Sequence, residues 1–164
     1  MRRRAAYHVV REAIADACEQ FSTRIVHFSV MSNHVHLICE TLDSKALSRA
    51  IKGLCVRLAR RLNRLWQRSG AVIEARYHAR ALKTPREVKN AIAYLLQNAR
   101  RHGLPYAGPD PCSSGVWFDG WERILNDDPL RTKSPLPLPR TWLLSVGWRR
   151  HGPIPLGPST PSPR

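Results

Sequence analysis

The sequence predicts an α+β domain, because two periodicities share one chain. Three stretches repeat their apolar residues every three to four positions, and two short runs between the first and second of them alternate every two. At 164 residues the chain is long enough for one domain with a substantial core and too short to expect two. Beyond Leu104 the texture changes. Nine of the 13 prolines fall at or after Pro129, and four of the five tryptophans lie in this region. The expected division is therefore a folded domain over residues 1–104 and a Pro/Trp-rich, partly disordered extension over 105–164.

The elements follow in order. Arg4 to Gln20 reads as a helix, with Ala6, Val9 or Val10, Ile14 and Ala17 at helical spacing. "RIVHFSV" and "NHVHLICE", separated by Met31-Ser32, read as adjacent antiparallel strands. Leu47, Ile51, Leu54, Leu58, Leu62 and Leu65 stripe a second helix from about Lys45 to Arg68. "YHARAL", Tyr77 to Leu82, is a further candidate strand. Thr84 as N-cap, Pro85 at the first helical position, Glu87 completing a capping box and Gly103 as the stop delimit a third helix. In the extension, "SSGVWFDGWERIL" and "RTWLLSVGWRR" carry enough tryptophan to dock short pieces onto the domain, whereas the final "GPIPLGPSTPSPR" cannot build a packed core.

Composition narrows the partner. Twenty-seven Lys and Arg against 12 Asp and Glu leave a net charge of +15, which attracts polyanions whatever the fold, so nucleic acid is the first partner to consider. No stretch approaches the roughly 18 uninterrupted apolar residues of a membrane span. Arg11, Glu12 and Asp16 interrupt any leader-like segment, so the expected location is cytoplasmic. The four cysteines form no C-x-x-C pair, which points away from a zinc knuckle or a disulfide framework.

Two positions carry chemistry. Along "VMSNHVHLICE" His34, His36, Ile38 and Glu40 share one face, while Val35, Leu37 and Cys39 share the other. Imidazoles at i and i+2 on a strand can bind one divalent ion, or can be two polar side chains on a half-exposed face. On the third helix Tyr94 stands opposite the apolar Val88, Ile92, Leu95, Leu96 and Ala99. Glu87, Asn90, Gln97, Asn98 and Arg101 lie within about 60° of it at roughly 100° per residue. Asn98, one turn beyond Tyr94, can supply an amide oxygen to an ion while holding the tyrosine over it. The expectation is that His34, His36 and Asn98 converge on a concave site on a helix-free face of the sheet.

"VMSNHVHLICE" followed at a distance by "ARYHARALKTPREVKNAIAYLLQNARRHGL" resembles the HUH single-strand transposases with one catalytic tyrosine, the IS200-like superfamily, in its REP-associated branch. The resemblance spans about Ala5 to Leu104. It implies a ferredoxin-like (RRM-like) antiparallel sheet with helices on one face. It implies that His34 and His36 are metal ligands, Tyr94 the nucleophile and Asn98 the third ligand, with Gln97 and Glu40 as alternatives. The ion would be Mg2+ or Mn2+, and the implied activity is cleavage and rejoining of hairpin-flanked single-stranded DNA through a 5′-phosphotyrosine intermediate. Such a protein works in the bacterial cytoplasm, at the nucleoid. Relatives begin with a strand ahead of the first helix, and here Met1 stands at that helix, so the first strand is missing from the pattern.

The arginine-rich side of the second helix, Arg57, Arg60, Arg61, Arg64 and Arg68, together with Arg76, Arg80, Lys83, Arg86 and Arg100, is the expected DNA-binding surface. The alternative to a transposase is a non-catalytic DNA-binding remnant of one. An RNA-binding module of RRM type would share the fold and would want aromatics on the sheet face, for which only Phe28 offers.

Overall fold

The computed structural model describes residues 1–73, 77–104, 108–122 and 133–156. Helix α1, Arg4–Ala17, buries Ala6, Val10, Ala13, Ile14 and Ala17 along one stripe. It stops three residues short of the expected Gln20, because Glu19–Gln20 forms a short strand, β1, that pairs antiparallel with Arg24 and Thr23 at the start of β2, Thr23–Val30. Phe21 and Ser22 make the tight turn between them with φ of 51° and 55°, the left-handed conformation that a two-residue hairpin demands.

Strand β3, Val35–Thr41, pairs antiparallel with β2, and the sheet order is β1-β2-β3. Between Ile25 and His27 the register slips by one residue, and this bulge turns Ile25 to the same face as Phe28 and Val30. The sequence Ile25-Val26-His27-Phe28 does not alternate by itself; the bulge lets both faces stay apolar. In β3 the expected alternation holds: Val35, Leu37 and Cys39 face the α1 side and Ile38 the other.

Helix α2, Ser44–Leu65, starts on Asp43, whose carboxylate accepts the Ala46 N–H. It packs on α1 through Leu54, Leu58 and Leu62. The expected strand at Tyr77–Leu82 is absent: residues 77–83 lie in no regular element, and β3 ends the sheet with no further strand beside it among the described residues. A strand needs a ladder partner, and none is present for Tyr77–Leu82 among the described residues.

Helix α3, Pro85–Leu96, carries the expected capping box, with Glu87 N–H donating to Thr84 Oγ1 and the Glu87 carboxylate accepting the Thr84 N–H. The helix does not run unbroken to Gly103. It ends at Leu96, turns at Gln97 and resumes as α4, Asn98–Arg101, with the bonding passing from Gln97 N–H→Ala93 O to a tighter Arg100 N–H→Gln97 O. Gly103, at φ 74°, then closes this end, as Leu104 N–H reaches back to Ala99 O.

The α+β class and antiparallel sheet are as expected, but the helices divide between two faces. On one side α1 and α2 enclose a core of Val10, Ile14, Ile25, Phe28, Val30 and Leu62. On the other, α3 covers Val26 and Ile38 together with Phe118, Trp121, Leu144, Trp148 and Ile154. This second core draws five of its twelve buried residues from beyond Leu104, so the boundary expected there separates no independent core. The pieces are a 3-10 turn at Ser114–Trp117, a short helix α5 at Trp142–Ser145 and a 3-10 turn at Gly147–His151. Ile154 is fully buried and bridges Trp121, so the final Pro-rich stretch, expected to build no core of its own, contributes one residue to this one. Ser113 bridges Ser29 and Cys112 O accepts the Val30 N–H, closing the edge of β2 that β1 leaves open. No helix is long and apolar enough to cross a membrane among the described residues.

Candidate active site

The two imidazoles emerge together from the turn into β3. His34 stands one residue before the strand and His36 inside it, and their Nε2 atoms lie 3.0 Å apart. Asn33 fixes this arrangement: the Nδ1 of His34 is 2.8 Å from Asn33 Oδ1, and donation there leaves the His34 Nε2 lone pair directed at its neighbour. At 3.0 Å the two nitrogens are hydrogen-bonded to each other, and imidazoles this close are also near enough to share one divalent ion. Burial first, then the adjacent His34 and His102, lowers the pKa of His36; burial and His102 lower that of His34. Both shifts favour the neutral ring, the form that binds metal.

Tyr94 meets this pair from α3. Its ring is 5.9 Å, centroid to centroid, from that of His36 and edge-on to it, and the Arg101 guanidinium lies 5.1 Å over the tyrosine ring. The imidazole face is therefore not helix-free, as expected from the sequence, but covered by α3. Helix contact brings a phenol, a cation and two imidazoles together, which a bare sheet face would not.

Asn98 is rotated inward by the break at Gln97 and is fully buried, with neither Oδ1 nor Nδ2 hydrogen-bonded among the described residues. Ser29, which pairs with His36 across the β2–β3 ladder, also buries an unpaired hydroxyl. Buried amides without partners are rare in folded proteins, which sets Asn98 apart from the other buried polar side chains. The imidazole pair, with both rings favoured neutral, is the part of this arrangement that suits a divalent ion, while the buried Asn98 amide makes no hydrogen bond to either ring. No group of three His, Cys, Asp or Glu side chains that could hold a metal gathers among the described residues.

The alternative ligands are otherwise engaged. Gln97 is buried and donates from Nε2 to Pro155 O at 2.6 Å, tying the helix break to the extension. Glu40 accepts from Arg140 N–H, Thr141 N–H and Thr141 Oγ1, anchoring the start of α5. Burial alone would raise its pKa, but those bonds, with Arg24 beside it, hold it below the ordinary value.

The expected DNA-binding surface divides in two. Arg57, Arg60, Arg61, Arg64 and, just beyond its end, Arg68 belong to α2, which packs on the face opposite Tyr94. Arg61 pairs with Asp16, and Arg68 stacks on Trp66. Arg80 stands 3.7 Å from Glu87 and Lys83 N–H caps the same carboxylate, so these two lie at the entrance of α3. Arg76 falls outside the described residues.

Sequence reasoning gave no role to three neighbours of the site, although it set Arg101 on the Tyr94 side of the helix. Asn33 orients His34, Arg101 covers Tyr94, and His102 brings a third ring within 6.3 Å of His34. Each stands within one residue of a recognised motif, but only the tertiary fold sets the ends of α4 and β3 side by side.

The family model "Transposase IS200 like" matches residues 2–95. That span holds α1, the whole sheet, α2, both strand histidines and Tyr94. No curated protein and no solved structure matches the chain.

Proposed function

The chain belongs to the IS200-like transposase family, and from that premise we propose that it cleaves and rejoins single-stranded DNA with Tyr94 as nucleophile and His34, His36 and Asn98 as the ligands of a divalent metal. The observation that carries this reading is the meeting of the His34–His36 pair with the Tyr94 phenol across the β3–α3 contact.

Phenols ionise near pH 10, so one attacks phosphorus at neutral pH only with help. A bound Mg2+ or Mn2+ would polarise the phosphate and stabilise charge on the leaving oxygen. The chain's own residues do the rest. Tyr94 Oη attacks phosphorus; the bond to the 3′ oxygen breaks, and the 3′ hydroxyl departs with a proton while the 5′ phosphate stays on the tyrosine. A second 3′ hydroxyl then attacks the phosphotyrosine and frees the phenol, so joining needs no high-energy cofactor. Arg101 sets the ring angle and places a positive charge beside the phosphate. Asn33 holds His34 in one tautomer throughout.

The test is an adduct assay with hairpin-bearing single-stranded DNA and manganese, read on a denaturing gel. Wild type is expected to form a covalent protein–DNA species. Tyr94→Phe removes one oxygen, keeps the ring and should lose the adduct entirely at unchanged DNA affinity. His36→Ala should lose it too, with no recovery in excess magnesium. An adduct that survives in Tyr94→Phe moves the nucleophile elsewhere, with Tyr77 next in line. No adduct from wild type on a hairpin that binds it favours a DNA-binding remnant.

A further inference from the structure

Beside the imidazole pair opens a cavity of about 730 Å³, walled by Arg2 and Arg3 ahead of α1, by Met31–His34 of the β2–β3 turn and by His102 and Leu104 after α4. Its volume is that of a pocket for a small organic ligand. We infer that this cavity seats the nucleotide next to the scissile phosphate, with that nucleotide's own phosphodiester held by Arg3 and His102. The inference rests on the transposase reading above and adds to it the path by which the strand enters.

Position supplies the first argument. His34 belongs both to the cavity wall and to the imidazole pair, and the His102 ring lies 6.3 Å from that of His34. Whatever fills the cavity is therefore adjacent to a phosphate held at His34, His36 and Tyr94.

Charge supplies the second. Asp110, which Arg2 of the cavity wall reaches, is buried and occupied: Arg2 grips both of its oxygens, and the Cys112 N–H donates to one of them. Arg2 also donates to Val30 O, so it is a structural tie between the chain start, β2 and the extension. Ser32 O already accepts from the Met1 amine. No hydrogen bond or ion pair among the described residues engages the side chains of Arg3 or His102. The cavity thus offers donors and a positive charge, with Ser32 O and Asn33 Oδ1 already engaged and no carboxylate in its wall, which favours an anion. Met31 and Leu104 add an apolar wall for a sugar or base, which inorganic phosphate would leave unused.

The probe is a short fluorescein-labelled thymidine oligonucleotide, titrated in EDTA so that binding does not depend on a metal, and read by anisotropy over a range of salt. Arg3→Ala and His102→Ala are each expected to weaken binding about three- to tenfold, and Arg3→Ala to lower the salt slope by about 0.7, the loss of one single-strand phosphate contact. Lys52→Ala, an equal change of charge on α2, should stay within about twofold. Both substituted side chains at the cavity are free of structural bonds, so an unchanged thermal midpoint verifies folding. Equal losses in all three variants would mean general attraction to a basic surface and overturn the inference. No loss in Arg3→Ala and His102→Ala would overturn it as well. Neither result touches the adduct assay, since Arg3→Ala binding normally while Tyr94→Phe loses the adduct removes the cavity's role alone. Conversely, an adduct persisting in Tyr94→Phe removes the transposase reading while the affinity losses can still stand.

Discussion

His27 is the residue whose environment is most at odds with its chemistry. It stands edge-on to Phe118 at 5.5 Å between ring centroids, within 3.4 Å of Ser114 Oγ, and burial pushes its pKa down to about 4 against a weaker opposing pull from Asp119. The folded state therefore prefers the neutral ring. The stability this brings is present in full above pH 6.5, where the unfolded chain is also neutral, and is lost as pH falls from 6.5 toward about 4. Its size is on the order of 3 kcal/mol. Thermal midpoints measured across that window should fall steeply for wild type and more shallowly for His27→Gln, which has no proton to gain. Parallel curves for the two proteins would assign the acid sensitivity to other groups. His34 and His36 shift in the same direction, but they are more exposed, and the use of that shift is ligand affinity rather than folding.

At the scale of elements, α3 decides whether a site exists. Its start is pinned by reciprocal Thr84–Glu87 bonds and its end by the Gln97–Pro155 contact, so Tyr94 is held from both directions. Thr84→Ala removes the oxygen that accepts the Glu87 N–H and is expected to cost about 1 kcal/mol in urea unfolding. Because the cap is ten residues from Tyr94, the adduct yield of folded Thr84→Ala should match wild type. The bulge in β2 has the same weight on the other side of the site. It lets Ile25 join Phe28 and Val30 in one core while Ser29 remains opposite His36.

The whole molecule is a sheet enclosed on both faces, and the chain beyond Leu104 is part of the enclosure. Trp148 is 2% exposed, stacks on Phe118 at 5.4 Å and donates its indole N–H to Leu144 O. Trp148→Ala is expected to cost about 3–5 kcal/mol, the range for deleting a large aromatic from a core. It should lower the urea midpoint in one cooperative transition seen alike by tryptophan fluorescence and far-UV circular dichroism. Two separate transitions would show that the extension unfolds by itself. The net charge of +15 acts at this scale too, drawing DNA to the entire surface and making all binding fall with salt.

The amino-acid sequence by itself determined the elements and the chemical groups. Apolar period two set the faces of β3 and so put His34 and His36 on one side, apolar period three to four set α1, α2 and α3, and Thr84-Pro85-Arg86-Glu87 marked the start of α3. Those signals are local, since each is written in residues within a turn or two of one another. What only the tertiary structure decided is non-local. Tyr77–Leu82 has strand composition yet no ladder partner, so its backbone stays irregular. Helix α3 lies on the imidazole face rather than beside α2, because Val26 and Ile38 there need covering as much as Ile25 and Phe28 do on the other. The turn at Gln97 takes Asn98 off the exposed face that an unbroken helical wheel assigns to it and buries it, and it carries His102 round to His34. Burial of apolar surface has no direction along the chain, so the placement of whole elements follows from the shape of both cores together, which no stretch of sequence contains.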